Sequence, residues 1–188
     1  MFRLILLISF IPLVVGLLAR WWFGARVLAI DGNRSCRSDL SRWLPAPGDT
    51  AVIHRAEGSA AEFGRQLRAK ALAEWQEQAP RAVKSREKSH RFGQAVPPLS
   101  GIIAFFAVVV GKVPVFGAIT ILIGATALAT ALALLALLPE LAAIARAARK
   151  ITGENHFPNS GERDAVVRCA NALAWTSSLP PILRWIHG

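Results

Sequence analysis

Cysteine is scarce. Only Cys36 and Cys169 occur in 188 residues, and neither belongs to a CxxC pair. That excludes a disulfide framework and leaves redox chemistry without a motif. Histidine is scarce as well: no two of His54, His90, His156 and His187 fall at i, i+4, the interval that sets two imidazoles on one helix face around a metal. There is no GxSxG elbow and no GxxxxGK[ST] phosphate loop, so neither the common hydrolase turn nor a nucleotide cradle is signalled. Acid is in deficit too, with 12 Asp and Glu against 22 Lys and Arg, a formal net charge of +10.

What the chain has instead is long apolar runs. Hydrophobic residues make up 53% and the mean hydropathy is +0.40, which together with the basic balance describes a small basic membrane protein. The first run, Leu4 to Ala19, lies between Arg3 and Arg20 and continues into Trp21, Trp22 and Phe23. No small-x-small cleavage site follows it, so residues 1–30 read as an uncleaved transmembrane anchor with the tryptophans at headgroup level.

The second run, residues 96–138, would be about 65 Å long as one helix, twice the roughly 30 Å of hydrocarbon in a bilayer. It must therefore fold back. Gly111-Lys112-Val113-Pro114 supplies the turn, dividing it into a transmembrane hairpin of Val96–Gly111 and Pro114–Leu138. The second arm repeats Ala125, Ala129 and Ala133, preceded by Gly117 and Gly124, a small-residue face suited to close approach of another helix.

Charge sets the orientation. Fourteen Lys or Arg lie from Arg20 to Pro98, and Arg146, Arg149 and Lys150 follow the hairpin, whereas the other side holds only Arg3 and Lys112. The positive-inside rule places the N-terminus and the hairpin turn outside, with the loop of residues 31–95 and the C-terminal region in the cytoplasm. Residues 139–188 read as a helical region lying on the surface or re-entering the membrane, with a fourth crossing as the alternative, because the apolar run from Cys169 to Leu183 is short and broken by Pro180 and Pro181. The fold class is thus mostly α: a polytopic membrane protein with an N-terminal anchor, a cytoplasmic loop with one amphipathic helix, a transmembrane hairpin and C-terminal helices.

Within the loop, Ser59 and Glu62 form a capping-box pattern, Phe63, Leu67, Ala71 and Trp75 recur every fourth residue, and Pro80 follows, so a helix is predicted over 60–79. The basic cluster after it, Arg81, Lys84, Arg86, Lys88 and Arg91, stands at the membrane boundary. It matches positive-inside topology and anionic lipid headgroups, at roughly 1 kcal/mol per residue. With no aromatic residues interleaved, it does not match nucleic acid.

The closing segments, LLALLPELAAIARAARK and SGERDAVVRCANALAW, carry a likeness to a known family. Together with the N-terminal anchor and its ARWWFGARV, they resemble the bacterial neutral zinc metallopeptidase family of membrane proteins, the YugP-type group. Leu138, Pro139 and Arg146 match that family's LP-containing turn and Arg-rich helix, while Glu162, Arg163, Ala165, Val166, Arg168, Ala172 and Ala174 match its ERxAVxR-like helix, with Trp175 at the pattern's last leucine. The resemblance implies an HExxH helix in the loop before the hairpin. Setting Glu74 at the family's glutamate puts Ala73 and Glu77 where zinc-ligating histidines belong, and a glutamate base without its metal-bound water has nothing to activate. Read as ordinary helix charges, Glu74 and Glu77 would pair with Lys70 and Arg81 at i, i+4.

The expectation is therefore a noncatalytic bacterial inner-membrane protein on a shortened metallopeptidase-like scaffold, without cofactor. Its partners would be membrane lipid and other membrane subunits or a second copy of itself. The alternative is an active zinc metallopeptidase with an unorthodox ligand set: Glu74 as base and His54, His90 and Glu140 as candidate ligands.

Overall fold

Residues 2–38, 57–153 and 157–178 are described in the computed structural model, with side chains from Leu7 onward. Almost all of them are helical. Helix α1 (Phe2–Ala19) passes through a π-helical stretch (Arg20–Ala25) into α2 (Arg26–Asp31); strands β1 (Ser35–Arg37) and β2 (Glu57–Ser59) follow, then α3 (Ala60–Gln78), α4 (Pro80–Val109), α5 (Val115–Gly153) and α6 (Ser160–Ser178). Three helical stretches are long and apolar enough to cross a membrane: Leu7–Asp31, Pro80–Val109 and Val115–Gly153.

The turn between α4 and α5 falls where the sequence places it. Gly111 adopts φ 72°, a left-handed conformation that costs glycine nothing, and Val110 and Lys112 donate back to Phe106 and Ala107 to close the end of α4. The helices around it differ from expectation in length. Helix α4 begins at Pro80, not at 96, because proline at a first helical position loses no hydrogen bond and the basic run behind it contains no breaker. Pro97 and Pro98 sit inside this helix, and α5 runs through Leu138-Pro139 to Gly153 with no turn there.

The chain forms two compact units, one gathering Met1–Ala19 with Lys84–Ala136, the other Arg20–Val83 with Leu137–Ser177. In the first, small residues are inside: Ala104, Ala127, Ala129, Thr126 and Thr130 are buried, while Ile103, Phe105, Phe106 and Leu128 are exposed. The threonine hydroxyls of α5 are satisfied within the helix, Thr126 donating to Leu122 and Thr130 to Thr126, each at 2.8 Å. That local solution suits an apolar surrounding, where an unpaired hydroxyl would be costly. The small-residue face of 125, 129 and 133 is taken up within the chain, since Ala129 and Ala133 are buried.

The second unit has a conventional core. Leu67, Ile144, Val166, Cys36 and Cys169 are at most 1% exposed there, and Phe63 packs edge-to-face on Phe157 with centroids 5.6 Å apart. Helix α3 starts in the expected capping box: the Ser59 hydroxyl accepts from Glu62 N–H at 3.2 Å and the Glu62 carboxylate accepts from Ser59 N–H at 3.0 Å. Its buried stripe is Phe63, Leu67, Ala71 and Trp75, with Gly64 added. A Cβ on Gly64 would lie 2.9 Å from the backbone N of Ala170 and from the Cβ of Cys169, so glycine lets α3 and α6 approach closely.

Two contacts bear on the anchor and the C-terminal region. Residues from Arg20 onward belong to the second unit: Phe23 stacks on Trp175 at 5.4 Å, a Cβ on Gly24 would meet Thr176, and Leu28 packs on the core. Thus the anchor's last third contacts protein. On helix α6, Ala165, Val166, Cys169, Ala170, Ala172 and Ala174 are all buried in the second unit's packing. Pro180 and Pro181 lie outside the described residues.

Candidate functional site

In its 39 residues α5 carries one acid, Glu140. A lone carboxylate in such a segment must find a cation or be neutralised. Here Glu140, 2% exposed, accepts from Arg68 Nε at 2.7 Å. Arg68 projects from α3 beside the apolar stripe, and its remaining donors are also used: Nη1 donates to the Leu173 carbonyl at 3.3 Å and Nη2 to Ser177 Oγ at 2.6 Å. One guanidinium thereby ties α3, α5 and α6. Its planar fork suits this, because it can donate in several directions without losing charge.

As chemistry, the cluster is closed. Ser177 donates its own proton to the Ala174 carbonyl at 3.1 Å while accepting from Arg68. Its role in this geometry is to hold three helices in register.

Glu74 and Glu140, two of the candidate residues, are held in different ion pairs. Glu74, on α3, accepts from Lys150 Nζ of α5 at 2.7 Å, so its cation is Lys150 in place of Lys70. The Glu77–Arg81 pairing is interrupted because Ala79, with φ −143° and ψ 66°, leaves the helix between them. Lys150 and Glu140, the α5 partners of Glu74 and Arg68, are about 15 Å apart along the helix, so Glu74 and Glu140 serve separate pairings. His54 lies outside the described residues. His90 is an exposed residue of α4, its Nε2 3.1 Å from Gln94 Nε2. Among the described residues no group of three or more His, Cys, Asp and Glu side chains is placed to hold a metal ion.

The basic cluster is helical and outside the core. Arg81, Lys84, Lys88 and Arg91 are exposed and Arg86 is half-buried, all on the first three turns of α4. This segment contains a pattern the glutamate-74 alignment passes over: Arg86-Glu87-Lys88-Ser89-His90 has the glutamate and second imidazole of HExxH at the right spacing. A guanidinium replaces the first imidazole. Being protonated at all working pH, it offers no lone pair to a metal and repels a dication. Glu87 is held by Arg91 at 2.6 Å, an i, i+4 pair. Neither stretch therefore fits zinc: one lacks both imidazoles, and the other keeps one beside a permanent cation. Searching for the E-x-x-H part of the motif alone would have revealed the second stretch in the sequence.

The remaining polar contacts of α6 anchor its ends. Arg168 grips Asp31 through Nε at 2.8 Å and Nη2 at 3.3 Å, a bidentate bond that holds the guanidinium proton more firmly still. The Glu162 carboxylate accepts from the Arg37 backbone N–H of β1 at 2.9 Å. Both thiols are pushed up by burial, Cys169 to about 11, so neither is a nucleophile at neutral pH. Compared with protein-family models, curated proteins and solved structures, the chain matches none, and its functional reading rests on its own residues.

Proposed function

We propose that this chain is a noncatalytic membrane protein on a degenerate zinc-metallopeptidase-like scaffold, acting as an accessory or scaffolding subunit in the bacterial cytoplasmic membrane. Its N-terminus and hairpin turn face outward, and the unit built from Arg20–Val83 and Leu137–Ser177 faces the cytoplasm; the Lys and Arg distribution supports that orientation. Against catalysis stand the donor sets: Ala73-Glu74-xx-Glu77 without an imidazole, and Arg86-Glu87-xx-His90 with one.

The observation that carries the partner reading is the start of α4. From Pro80 to Phe92 no residue is buried, although the segment is helical throughout. A helical segment with no fully buried side chain gains little from core packing, and the Glu87–Arg91 pair contributes only a few tenths of a kcal/mol. Such a segment is completed by a surface outside the chain: anionic lipid near Arg91 and a subunit further out.

Zinc content tests the enzymatic half of this reading. Protein extracted in mild detergent, without chelator or histidine tag, is expected to carry no stoichiometric zinc by elemental analysis. About one zinc per chain would overturn the noncatalytic assignment and direct mutagenesis to His54 and His90.

A further inference from the structure

The last turns of α5 and the first half of α6 enclose an open groove of about 350 Å³, lined by Ala148, Arg149, Thr152, Arg163, Asp164, Val167 and Arg168. Three guanidinium groups converge there against one carboxylate. We propose that this groove binds a phosphate group, carried on a lipid headgroup or on a soluble ligand. The inference stands apart from the accessory-subunit reading and does not rest on it.

The donors are in place and largely unspent. Among the described residues, Arg149 has no hydrogen-bond or ion-pair partner. Arg163 makes one long bond, Nε to the neighbouring Asp164 carboxylate at 3.3 Å, which leaves its Nη groups available. Arg168 is oriented from behind: Asp31 takes its Nε and Nη2, so Nη1 remains and the side chain is fixed before any ligand arrives. A guanidinium held by a carboxylate behind it is a preorganised phosphate donor, and Arg matches phosphate oxygens with paired N–H groups. Ala148 and Val167 add an apolar floor, and the volume is at the low end of small-molecule sites, roughly 300 to 1,000 Å³. Asp164 is the opposing charge. It competes with an incoming anion for Arg163, which gives the site a signed test.

The test uses the full chain in detergent and phosphate-free buffer, titrated calorimetrically with inorganic phosphate and pyrophosphate at constant ionic strength. Saturable binding of one ligand per chain is expected. Arg149→Ala with Arg163→Ala should weaken it about tenfold or more, the loss of charge-assisted contacts. Asp164→Asn should tighten it by releasing Arg163, an outcome that a merely structural groove would not produce. Repeating the titration in nanodiscs of phosphatidylcholine, with and without phosphatidylglycerol, separates the sources. Competition by the anionic lipid assigns the groove to a headgroup, and equal binding in both assigns it to a soluble ligand. The proposal falls if neither phosphate nor phosphatidylglycerol binds saturably, or if binding is the same in wild type, the double variant and Asp164→Asn. Should the double variant fail to fold, the direction of the Asp164→Asn shift alone decides.

Discussion

Leu67, Ile144 and Val166 of the second unit are at most 1% exposed, whereas Ile103, Phe105 and Phe106 of the first stand between 60% and 65%. The inversion extends to size. The first unit buries alanine and threonine and displays its large apolar side chains; the second buries Leu67, Ile144, Val166 and Phe63 together with alanines, although Ile30 and Leu138 remain exposed. In water the first arrangement would be an aggregation liability, because exposed apolar patches of this extent are unfavourable. In lipid it is the expected solution, since there is no hydrophobic gain from hiding Phe and Ile, and close helix contact favours small residues. Three helices long and apolar enough to cross a membrane, beside a unit with a conventional core, are compatible with a chain that meets both lipid and water.

That comparison is broken most severely at the buried Arg68–Glu140 pair. Arg68→Met would remove the guanidinium from Glu140, 2% exposed, and removing one partner of a buried pair typically costs about 3–5 kcal/mol. The double variant Arg68→Met with Glu140→Leu should recover most of that loss, because neither charge remains to be desolvated. Chemical denaturation monitored by tryptophan fluorescence would read it, Trp75 and Trp175 both lying in the second unit. If the single and double variants were equally unstable, the pair would be contributing packing, not charge compensation.

A matched pair of truncations sharpens the contrast. Leu67→Ala, at a site with no exposure, should cost about 2–5 kcal/mol through lost burial and the cavity left behind. Phe105→Ala removes more atoms from a side chain 65% exposed, and should change the same unfolding midpoint by less than about 0.5 kcal/mol in detergent. Equal costs at the two positions would mean that Phe105 is covered in the folded protein.

How much of this was legible in the residues depends on the range of the interaction. The Ser59–Glu62 box, the stripe from Phe63 to Trp75 and the Gly111 turn are local patterns, and each appears where its spacing puts it. Helix lengths were less legible: proline reads as a stop, yet Pro97, Pro98 and Pro139 all lie inside helices, where apolar surroundings leave the backbone few alternatives to helix. The Arg68–Glu140 pair links residues 72 positions apart and leaves no periodic trace. Its one signal was compositional, a single acid in a long apolar helix. Sequence separation likewise does not say which of the alternative's candidates, Glu74, His54, His90 and Glu140, the topology brings together; Glu74 and Glu140 go to different cations.

Helix packing in the second unit depends on a missing side chain as well. Gly64→Ala should raise the helix propensity of α3 by up to about 1 kcal/mol, but the new Cβ would sit 2.9 Å from the backbone of α6. Backbone must shift to admit it, at about 1–3 kcal/mol. The net effect expected in denaturation is a modest destabilisation. A gain in stability would show that α6 yields at Ala170.

The smallest effect expected is at the thiols, and it reads the dryness of the second unit. Burial raises the Cys169 thiol from the ordinary 9.0 to about 11, with Asp31 and Cys36 adding to the shift, and raises Cys36 too. A folded-state value above the unfolded one means that the neutral thiol is favoured by folding. Its contribution is complete below pH 9.0 and is lost as pH rises toward about 11. Unfolding free energy should accordingly decline over that alkaline interval, and decline less in a Cys169→Ala variant, which has no proton to lose there. Alkylation gives the kinetic counterpart. At pH 8 both thiols of the native chain should resist N-ethylmaleimide and react at the rate of unfolding, because the reactive thiolate is scarce and the sulfurs are covered. Rapid labelling of Cys169 without loss of tryptophan signal would mean that α6 parts from α3 in the folded protein, and the second unit would then lack the packed interior that distinguishes it from the first.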